Sequence, residues 1–169
     1  MAVQFISVIE DEQIKQLAGI ADIVWHEWFP SILSTEQIDY MVDKFQSYKA
    51  IKAQIKDGYE YFFVNVDGVN VGYTGVHIEQ DMSKMFISKV YLLKDFRGRG
   101  YASEVFAFLE DKCTRNNLKS MYLTVNKNNS QAIAVYEKKD FKTVRSQVAD
   151  IGNGYVMDDY VMEKIINCV

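Results

Sequence analysis

The chain has 169 residues, which is the length of about one compact domain. Hydrophobic residues make up 49% and charged residues 25%, with nine glycines and one proline, and this composition excludes a disordered, collagen-like or linker-dominated chain. Asp and Glu number 23 against 19 for Lys and Arg, giving a net charge of −4. That balance disfavours general binding to nucleic acid or to an anionic membrane, and it is compatible with a small cationic partner.

The apolar runs are far shorter than the roughly 18 residues that a membrane helix needs. The first residues, MAVQFISVIEDEQ, lack the basic and then apolar segments of a secretory signal, so we expect a cytoplasmic protein. Two cysteines, Cys113 and Cys168, and two histidines show neither disulfide-framework nor metal-ligand spacing. The sequence therefore predicts no metal site.

The first half of the chain has the pattern of a strand, two helices and a hairpin. Residues 4–9 predict a strand, and the apolar stripe from Ile14 to Trp28 predicts a first helix. Ser34-Thr35-Glu36-Gln37 has capping-box spacing, and the stripe after it predicts one second helix that ends near Asp57-Gly58. Residues 59–66 and 69–78 predict two strands joined by Asp67-Gly68, a pair suited to a two-residue type I′ turn.

The second half alternates strands and helices. Strands are predicted over residues 84–93, 120–125, 141–148 and 155–166, with helices from Ala102 to Asn116-Asn117 and over residues 130–139. The order β, α, α, β, β, β, α, β, α, β, β predicts an α/β (α+β) fold in which helices flank a single mixed, mostly antiparallel sheet. We expect one domain spanning residues 1–169.

The segment Val90–Ala102 joins a strand to a helix through two glycines and two arginines. The first amides of a helix have no intrahelical partner and lie at the positive end of the macrodipole, so they bind anions. Gly98 and Gly100 tolerate the backbone angles of an anion-binding nest, and Arg97 and Arg99 add charged donors. The segment predicts a pyrophosphate site, although it matches neither the P-loop nor the dinucleotide motif. A solvated basic turn is the alternative.

A second motif follows downstream. Arg97-x-x-Gly100-x-Ala102, and then Asn129-x-x-Ala132-x-x-x-Tyr136-x-Lys138-x-Asp140-Phe141, resembles the acetyl-CoA signature of the GCN5-related N-acetyltransferase (GNAT) superfamily in order and separation. The two motifs cover the stretch from Val90 to Phe141, and the predicted element order is similar to that of the family over nearly the whole chain. Asp140 stands where the family usually has Gly, which changes a turn residue and none of the proposed chemical groups.

The resemblance implies a GNAT-like acyl-CoA N-acyltransferase fold with acetyl-CoA as the cofactor. In such proteins the strand before the loop pairs with the pantetheine arm, the loop amides hold the pyrophosphate, and the Asn of the second motif meets the pantetheine side. The residues implied to bind the cofactor are Val90, Leu92, Arg97, Gly98, Arg99, Gly100, Tyr101, Ala102 and Asn129.

Tyr136 matches the general acid of the family, which protonates the departing CoA thiolate. A phenol suits that role because its ordinary pKa of about 10 keeps it protonated at neutral pH. Without the surrounding motif, Tyr136 is better explained as a helix aromatic that packs onto the sheet, and with the motif we favour the catalytic role.

The general base is less clearly marked. Many relatives carry a Glu on the strand before the loop, but residues 86–90 of this chain contain no carboxylate. Glu79 is the preferred substitute, with Asp81, Glu27 or a water held by Ser88 as alternatives.

Acceptor specificity in this family depends on the connection between the first two helices and on the last hairpin. In this chain those segments contain Glu27, Trp28, Asp158 and Asp159, and carboxylates with aromatic faces are what an organic cation needs. The last hairpin also resembles that of bacterial polyamine and diamine acetyltransferases. We therefore predict that these four residues bind a small cationic amine. Core packing of Trp28 and a solvated strand end for the two aspartates are the alternative.

The predicted function is acetyl transfer from acetyl-CoA to a primary amine of a small, polyamine-like acceptor, by direct attack in a ternary complex. Cys113 lies on an apolar helical stripe, so we expect it to be buried and not to carry an acyl group. The alternatives are acetylation of a protein N-terminus or lysine, and a CoA-binding sensor without catalysis. A homodimer is compatible with the sequence.

Overall fold

The structure is a computed structural model that describes residues 2–166. Cys168 lies outside the described residues. The helices are α1 (Asp11–Trp28), α2 (Thr35–Met41), α3 (Tyr48–Lys56), α4 (Tyr101–Arg115) and α5 (Ser130–Lys138). The strands are β1 (Val3–Ser7), β2 (Glu60–Val66), β3 (Val69–Glu79), β4 (Lys84–Leu92), β5 (Ser120–Asn126), β6 (Lys142–Gly152) and β7 (Tyr155–Ile165).

The predicted fold class is confirmed. The strands form a seven-stranded sheet in the order β1-β2-β3-β4-β5-β7-β6. β4 and β5 pair in parallel, whereas β1 with β2, β2 with β3, β5 with β7, and β6 with β7 pair antiparallel. The sheet is therefore mixed and mostly antiparallel, as the element order predicts.

The prediction of one continuous second helix is wrong, because the stretch contains three helical segments. That stretch is α2, a π-helical turn at Val42–Gln46, and α3. Ser47 separates the last two: its backbone is extended (φ −74°, ψ 161°), and its hydroxyl accepts a hydrogen bond from the Ala50 amide at 3.2 Å. This cap satisfies an amide that the first turn of α3 leaves open, so a new helix begins although the apolar spacing continues.

The hairpin between β2 and β3 has the predicted turn. Asp67 and Gly68 have φ angles of +51° and +85°, and Val66 pairs with Val69 across the turn. Positive φ at both central residues is the mark of a type I′ turn. The Asn65 side chain also accepts a hydrogen bond from the Gly68 amide at 3.0 Å, which stabilises this reversal.

The chain forms two compact units. Of the described residues, the first unit comprises 2–77 together with Lys89–Phe108, and the second comprises Ile78–Ser88 and 109–166. Fully buried side chains from α1, α3, β2 and β3 form the core of the first unit; they include Leu17, Ala21, Ile51, Tyr61, Phe63 and Tyr73. The expectation of a single domain stays a prediction.

The second unit has its own buried residues, which include Met85, Leu109, Met121, Phe141 and Met162. Cys113 is fully buried, with its Sγ 3.9 Å from the sulfur of Met85. This burial confirms the expected packing role of Cys113. Over residues 2–166, no helix combines the length and the apolar character that crossing a membrane requires.

The last part of β4 is held by β3. The parallel pairing with β5 joins Lys84–Ile87 to Ser120–Leu123, and β4 continues past it to Leu92. Here the Leu93 amide donates to the Val71 carbonyl at 2.9 Å. A Cβ on Gly72 of β3 would collide with the Tyr91 carbonyl, so only glycine allows this close approach of the two strands.

Candidate active site

The predicted phosphate loop lies between β4 and α4 in the first unit. A short 3₁₀ turn at Lys94–Phe96 follows β4, and α4 begins at Tyr101. Gly98 and Gly100 have φ angles of +73° and +86°, which glycine adopts without strain. A Cβ at either glycine would meet no other heavy atom within 4 Å, so both border open space. This cradle at the start of a 15-residue helix fits a pyrophosphate.

The two arginines of this loop have different surroundings. Arg99 is exposed, with its guanidinium carbon 5.5 Å from the centre of the Phe96 ring. Arg97 is half-buried, and its Nε donates a hydrogen bond to the Leu92 carbonyl at 2.9 Å. Burial lowers the pKa of Arg97, and the nearby Glu27 carboxylate opposes that shift. From the sequence we expect both arginines to bind the anion in the same way. In the structure, however, Arg97 is bonded within the protein and Arg99 is exposed.

Glu27 and Trp28, which the sequence predicts to bind the acceptor, lie against this loop. The Arg97 guanidinium stacks on Trp28 at 4.5 Å from the ring centre, and its Nη2 lies 3.6 Å from Glu27 Oε1. Glu27 Oε1 also accepts a hydrogen bond from the Lys94 amide at 3.1 Å. The first unit thus brings together two predicted acceptor residues and one predicted cofactor residue.

Asn129 and Tyr136 both belong to α5 and its cap, in the second unit. Asn129 is the buried N-cap residue, and its side-chain oxygen accepts a hydrogen bond from the Ala132 amide at 3.2 Å. The Tyr136 ring centre is 6.0 Å from that of Phe141, and burial raises the pKa of Tyr136 to about 12. A phenol with that pKa keeps its proton at neutral pH, as a general acid must.

The Asp140 backbone explains why glycine is usual at this position of the motif. Asp140 has a φ of +70°, in the left-handed region that favours glycine. Asp and Asn are the other residues that adopt this conformation with modest strain. The departure from the motif therefore conserves the turn between α5 and β6.

The predicted base, Glu79, ends β3 and is engaged by a tyrosine. The Tyr122 hydroxyl donates a hydrogen bond to Glu79 Oε1 at 2.6 Å, and the Tyr122 ring lies 5.1 Å from that of Phe86. Glu79 is thus engaged by a tyrosine whose ring packs on a neighbouring phenylalanine. The role of base stays a prediction for this residue.

The two aspartates of the last hairpin have opposite environments. Asp158 is exposed and forms an ion pair with Lys127 at 2.7 Å. Asp159 is buried, with 3% of its surface exposed, and burial raises its pKa to about 6, with the Asp158 charge adding to the shift and Lys127 opposing it. A carboxylate of that pKa can accept a proton near neutral pH. Alternation along the predicted strand separates the two side chains, but which of them is buried depends on the pairing of β7 with β5 and β6.

A buried lysine of β4 is the other group that sequence reasoning missed. Lys89 is 6% exposed, and its Nζ donates hydrogen bonds to Gln54 Oε1 at 2.8 Å and to the Tyr61 hydroxyl. Burial lowers the pKa of Lys89 to about 7. Lys89 falls within residues 86–90, the stretch where many relatives carry a Glu, but nothing in the sequence indicates that it is buried.

The chain is similar to known N-acetyltransferases in sequence and in fold. It is 21% identical over 165 residues to an uncharacterized N-acetyltransferase in the pepI 3′ region of Lactobacillus delbrueckii subsp. lactis, covering 94% of this chain and 95% of the relative. Its fold is similar to that of the PaiA N-acetyltransferase of Thermoplasma acidophilum in complex with coenzyme A, with a TM-score of 0.78, 18% identity and coverage of 98% and 99% of the two chains. It is also similar to the spermidine/spermine N-acetyltransferase SpeG of Vibrio cholerae, with a TM-score of 0.67, 17% identity and coverage of 97% and 95%.

The family of the chain follows from its match to a family model. The model of the acetyltransferase (GNAT) family matches residues 17–141, which include the glycine loop and the Asn129–Phe141 motif. The seven-stranded sheet and the loop cradle agree with that match. The chain therefore belongs to the GNAT family, and it is an N-acetyltransferase that uses acetyl-CoA.

Proposed function

We propose that the protein acetylates a primary amine of a small, polyamine-like cation by direct attack in a ternary complex. The observation that carries this proposal is the buried carboxylate of Asp159. Within residues 2–166 the structure shows no ion pair to Asp159, and the nearby Lys127 is paired with Asp158. Because a buried charge is costly unless it is paired, a cationic amine supplies the partner that this carboxylate needs.

We assign the cofactor to most of the residues that the sequence predicts. Acetyl-CoA supplies a thioester, whose acyl group an amine can accept. The backbone amides from Gly98 to Ala102 hold the pyrophosphate, because they combine an open cradle with the start of α4. The backbone of Val90 and Leu92, on the part of β4 beyond its pairing with β5, pairs with the pantetheine arm.

Proton transfers are assigned to two groups with different pKa values. Tyr136 Oη donates a proton to the departing sulfur, since its pKa of about 12 keeps it protonated. Asp159 takes a proton from the acceptor ammonium group, since its pKa of about 6 leaves it ionised at neutral pH. When the surroundings of two groups hold their pKa values apart, one group can act as the acid and the other as the base. Glu79 stays the alternative base.

The test is an acceptor panel that follows CoA thiol release with spermidine, spermine, single-charge amines, aminoglycosides, amino acids and peptides. We expect turnover with the polyamines, and a lower KM for multiply charged amines than for singly charged ones. Turnover with peptides alone would contradict the proposed acceptor and leave the use of acetyl-CoA intact. Tight CoA binding without turnover of any amine would support a sensor role.

A further inference from the structure

The end of α1 is attached to the glycine loop by a small set of contacts centred on Arg97. The guanidinium stacks on Trp28 at 4.5 Å, and its Nη2 lies 3.6 Å from Glu27 Oε1. Its Nε donates to the Leu92 carbonyl at 2.9 Å. These contacts cover one face of the guanidinium, use its Nε donor and place a carboxylate beside its Nη2.

Glu27 contacts the loop a second time. Its Oε1 accepts a hydrogen bond from the Lys94 amide at 3.1 Å, in the turn just before Arg97. The carboxylate thus joins the loop backbone to the Arg97 side chain, and its negative charge offsets the positive charge that Arg97 brings to the loop. We call this group of Glu27, Trp28, Lys94 and Arg97 the α1 clamp.

The same end of α1 is also tied to α2. The His26 Nε2 lies 2.6 Å from Asp39 Oδ1, and its Nδ1 lies 2.8 Å from the Asp22 carbonyl. The hydrogen bond with Asp39, and then that with the Asp22 carbonyl, raise the pKa of His26. The end of α1 is therefore held between the glycine loop and α2.

We propose that Arg97 is a positioning residue that holds the acceptor-binding end of α1 against the cofactor loop, and that its side chain does not bind the phosphates. Its backbone amide donates to the Lys94 carbonyl at 3.3 Å, and Arg99 supplies the side-chain charge of the loop. The proposal rests on the proposed function in one respect, namely that the end of α1 borders the acceptor site.

The clamp predicts a separation between cofactor affinity and acceptor affinity. Loss of the Arg97 side chain releases Glu27 and Trp28 but leaves the glycine cradle and the start of α4 in place. We therefore expect Arg97→Gln to raise the acceptor KM about tenfold or more, and to change the Kd for acetyl-CoA by less than about threefold. Arg99→Gln, the matched control in the same loop, should weaken acetyl-CoA binding and leave the acceptor KM nearly unchanged.

The experiment measures the Kd for acetyl-CoA by calorimetry, and kcat and KM for the acceptor, in Arg97→Gln, Glu27→Gln, their double variant and Arg99→Gln. If Arg97 acts through Glu27, the double variant should be no worse than the more impaired of the two single variants, because both changes remove the same Arg97–Glu27 interaction. Arg97→Gln binding acetyl-CoA as weakly as Arg99→Gln, with an unchanged acceptor KM, would overturn the proposal.

Failure of the clamp can be distinguished from failure to fold and from failure of the proposed function. If Arg97→Gln does not fold, Arg97→Lys still tests the clamp, since it keeps the positive charge and loses the planar guanidinium that stacks on Trp28. A raised acceptor KM with unchanged Kd for acetyl-CoA is expected there too. If the wild-type chain acetylates no amine, the proposed function fails. The calorimetric comparison of Arg97→Gln with Arg99→Gln still decides whether the Arg97 side chain binds the cofactor.

Discussion

Asp158 and Asp159 are consecutive residues of β7, yet their side chains lie on opposite faces of the strand. The Asp158 side chain is 54% exposed and paired with Lys127, whereas Asp159 is 3% exposed. Alternation along a strand makes this division unavoidable for neighbouring residues. The pair that the sequence predicts as one acceptor-binding unit is therefore two groups with different chemistry.

Asp159→Asn should stabilise the protein and weaken its activity. The folded-state pKa of about 6 lies above the ordinary value of 3.8, so stability from this group is present at low pH and is lost as pH rises through about 6. The Asn variant should thus have a higher Tm than wild type at pH 8, and the difference should vanish towards pH 4. Its KM for a multiply charged amine should rise more than its KM for a singly charged one.

Asp158→Asn is the matched control for that comparison. It removes an exposed ion pair, so its stability should stay within about 1 kcal/mol of wild type. Thermal unfolding at the two pH values, with KM measured for both amines, checks the prediction. A lower Tm for Asp159→Asn at pH 8, or equal responses of the two amines, would count against a cation-binding carboxylate.

Gly100→Val should abolish acetyl-CoA binding. The φ of Gly100 is +86°, and its Cβ position opens onto the space where the pyrophosphate is proposed to bind. Gly68→Val in the β2–β3 turn is the matched control, since Gly68 has a φ of +85° and equally open surroundings. Both variants bear the strain of a left-handed residue, on the order of 1–3 kcal/mol, but calorimetry should show lost affinity in Gly100→Val alone. Normal affinity in folded Gly100→Val would refute the loop assignment.

Tyr136→Phe should lower kcat by a factor on the order of 10² to 10⁴ and leave acetyl-CoA affinity unchanged. The substitution removes the phenolic proton and retains the ring that packs near Phe141. Because the pKa of Tyr136 is raised to about 12, loss of its proton should not reduce the wild-type rate at pH 9 or 10. Tyr48→Phe, which removes a hydroxyl bonded to Asp11, is the control. Full turnover of Tyr136→Phe in single-turnover measurements would leave Tyr136 with a packing role only.

Lys89→Met should stabilise the protein at pH 7. Burial lowers the pKa of Lys89 to about 7 from an ordinary value of 10.5, so wild-type stability should rise with pH between these two values. The advantage of the Met variant should therefore shrink as pH approaches 10. Denaturant unfolding at pH 7 and pH 10 measures the difference, and a constant difference would mean that Lys89 keeps its charge when buried.

Local patterns in the sequence are sufficient for much of the fold. The Asp67-Gly68 turn and the switch to helical spacing after Gly100 depend on neighbouring residues, and both predictions are confirmed. Ser47 shows the limit of apolar periodicity: the stripe continues through it, but a side-chain cap restarts the helix there. A serine within an apolar stripe is compatible with a continuous helix and also with a cap that starts a new one.

The properties of the candidate site residues depend on contacts that are distant in the sequence. Arg97 meets Glu27 and Trp28 through packing of α1 against the loop, and no local pattern encodes those contacts. The raised pKa of Asp159 likewise requires burial between β5 and β6. Motif matching predicts which residues matter, whereas their charge states and partners require the folded chain.

Acetyl transfer to a polyamine is tested by measuring CoA thiol and acetylated amine together, with acetyl-CoA and spermidine both varied at pH 8. Direct attack in a ternary complex predicts equal amounts of thiol and acetylated spermidine, and initial rates whose double-reciprocal lines intersect. Thiol release without an acetylated amine, or parallel lines from an acyl-enzyme route, would contradict it.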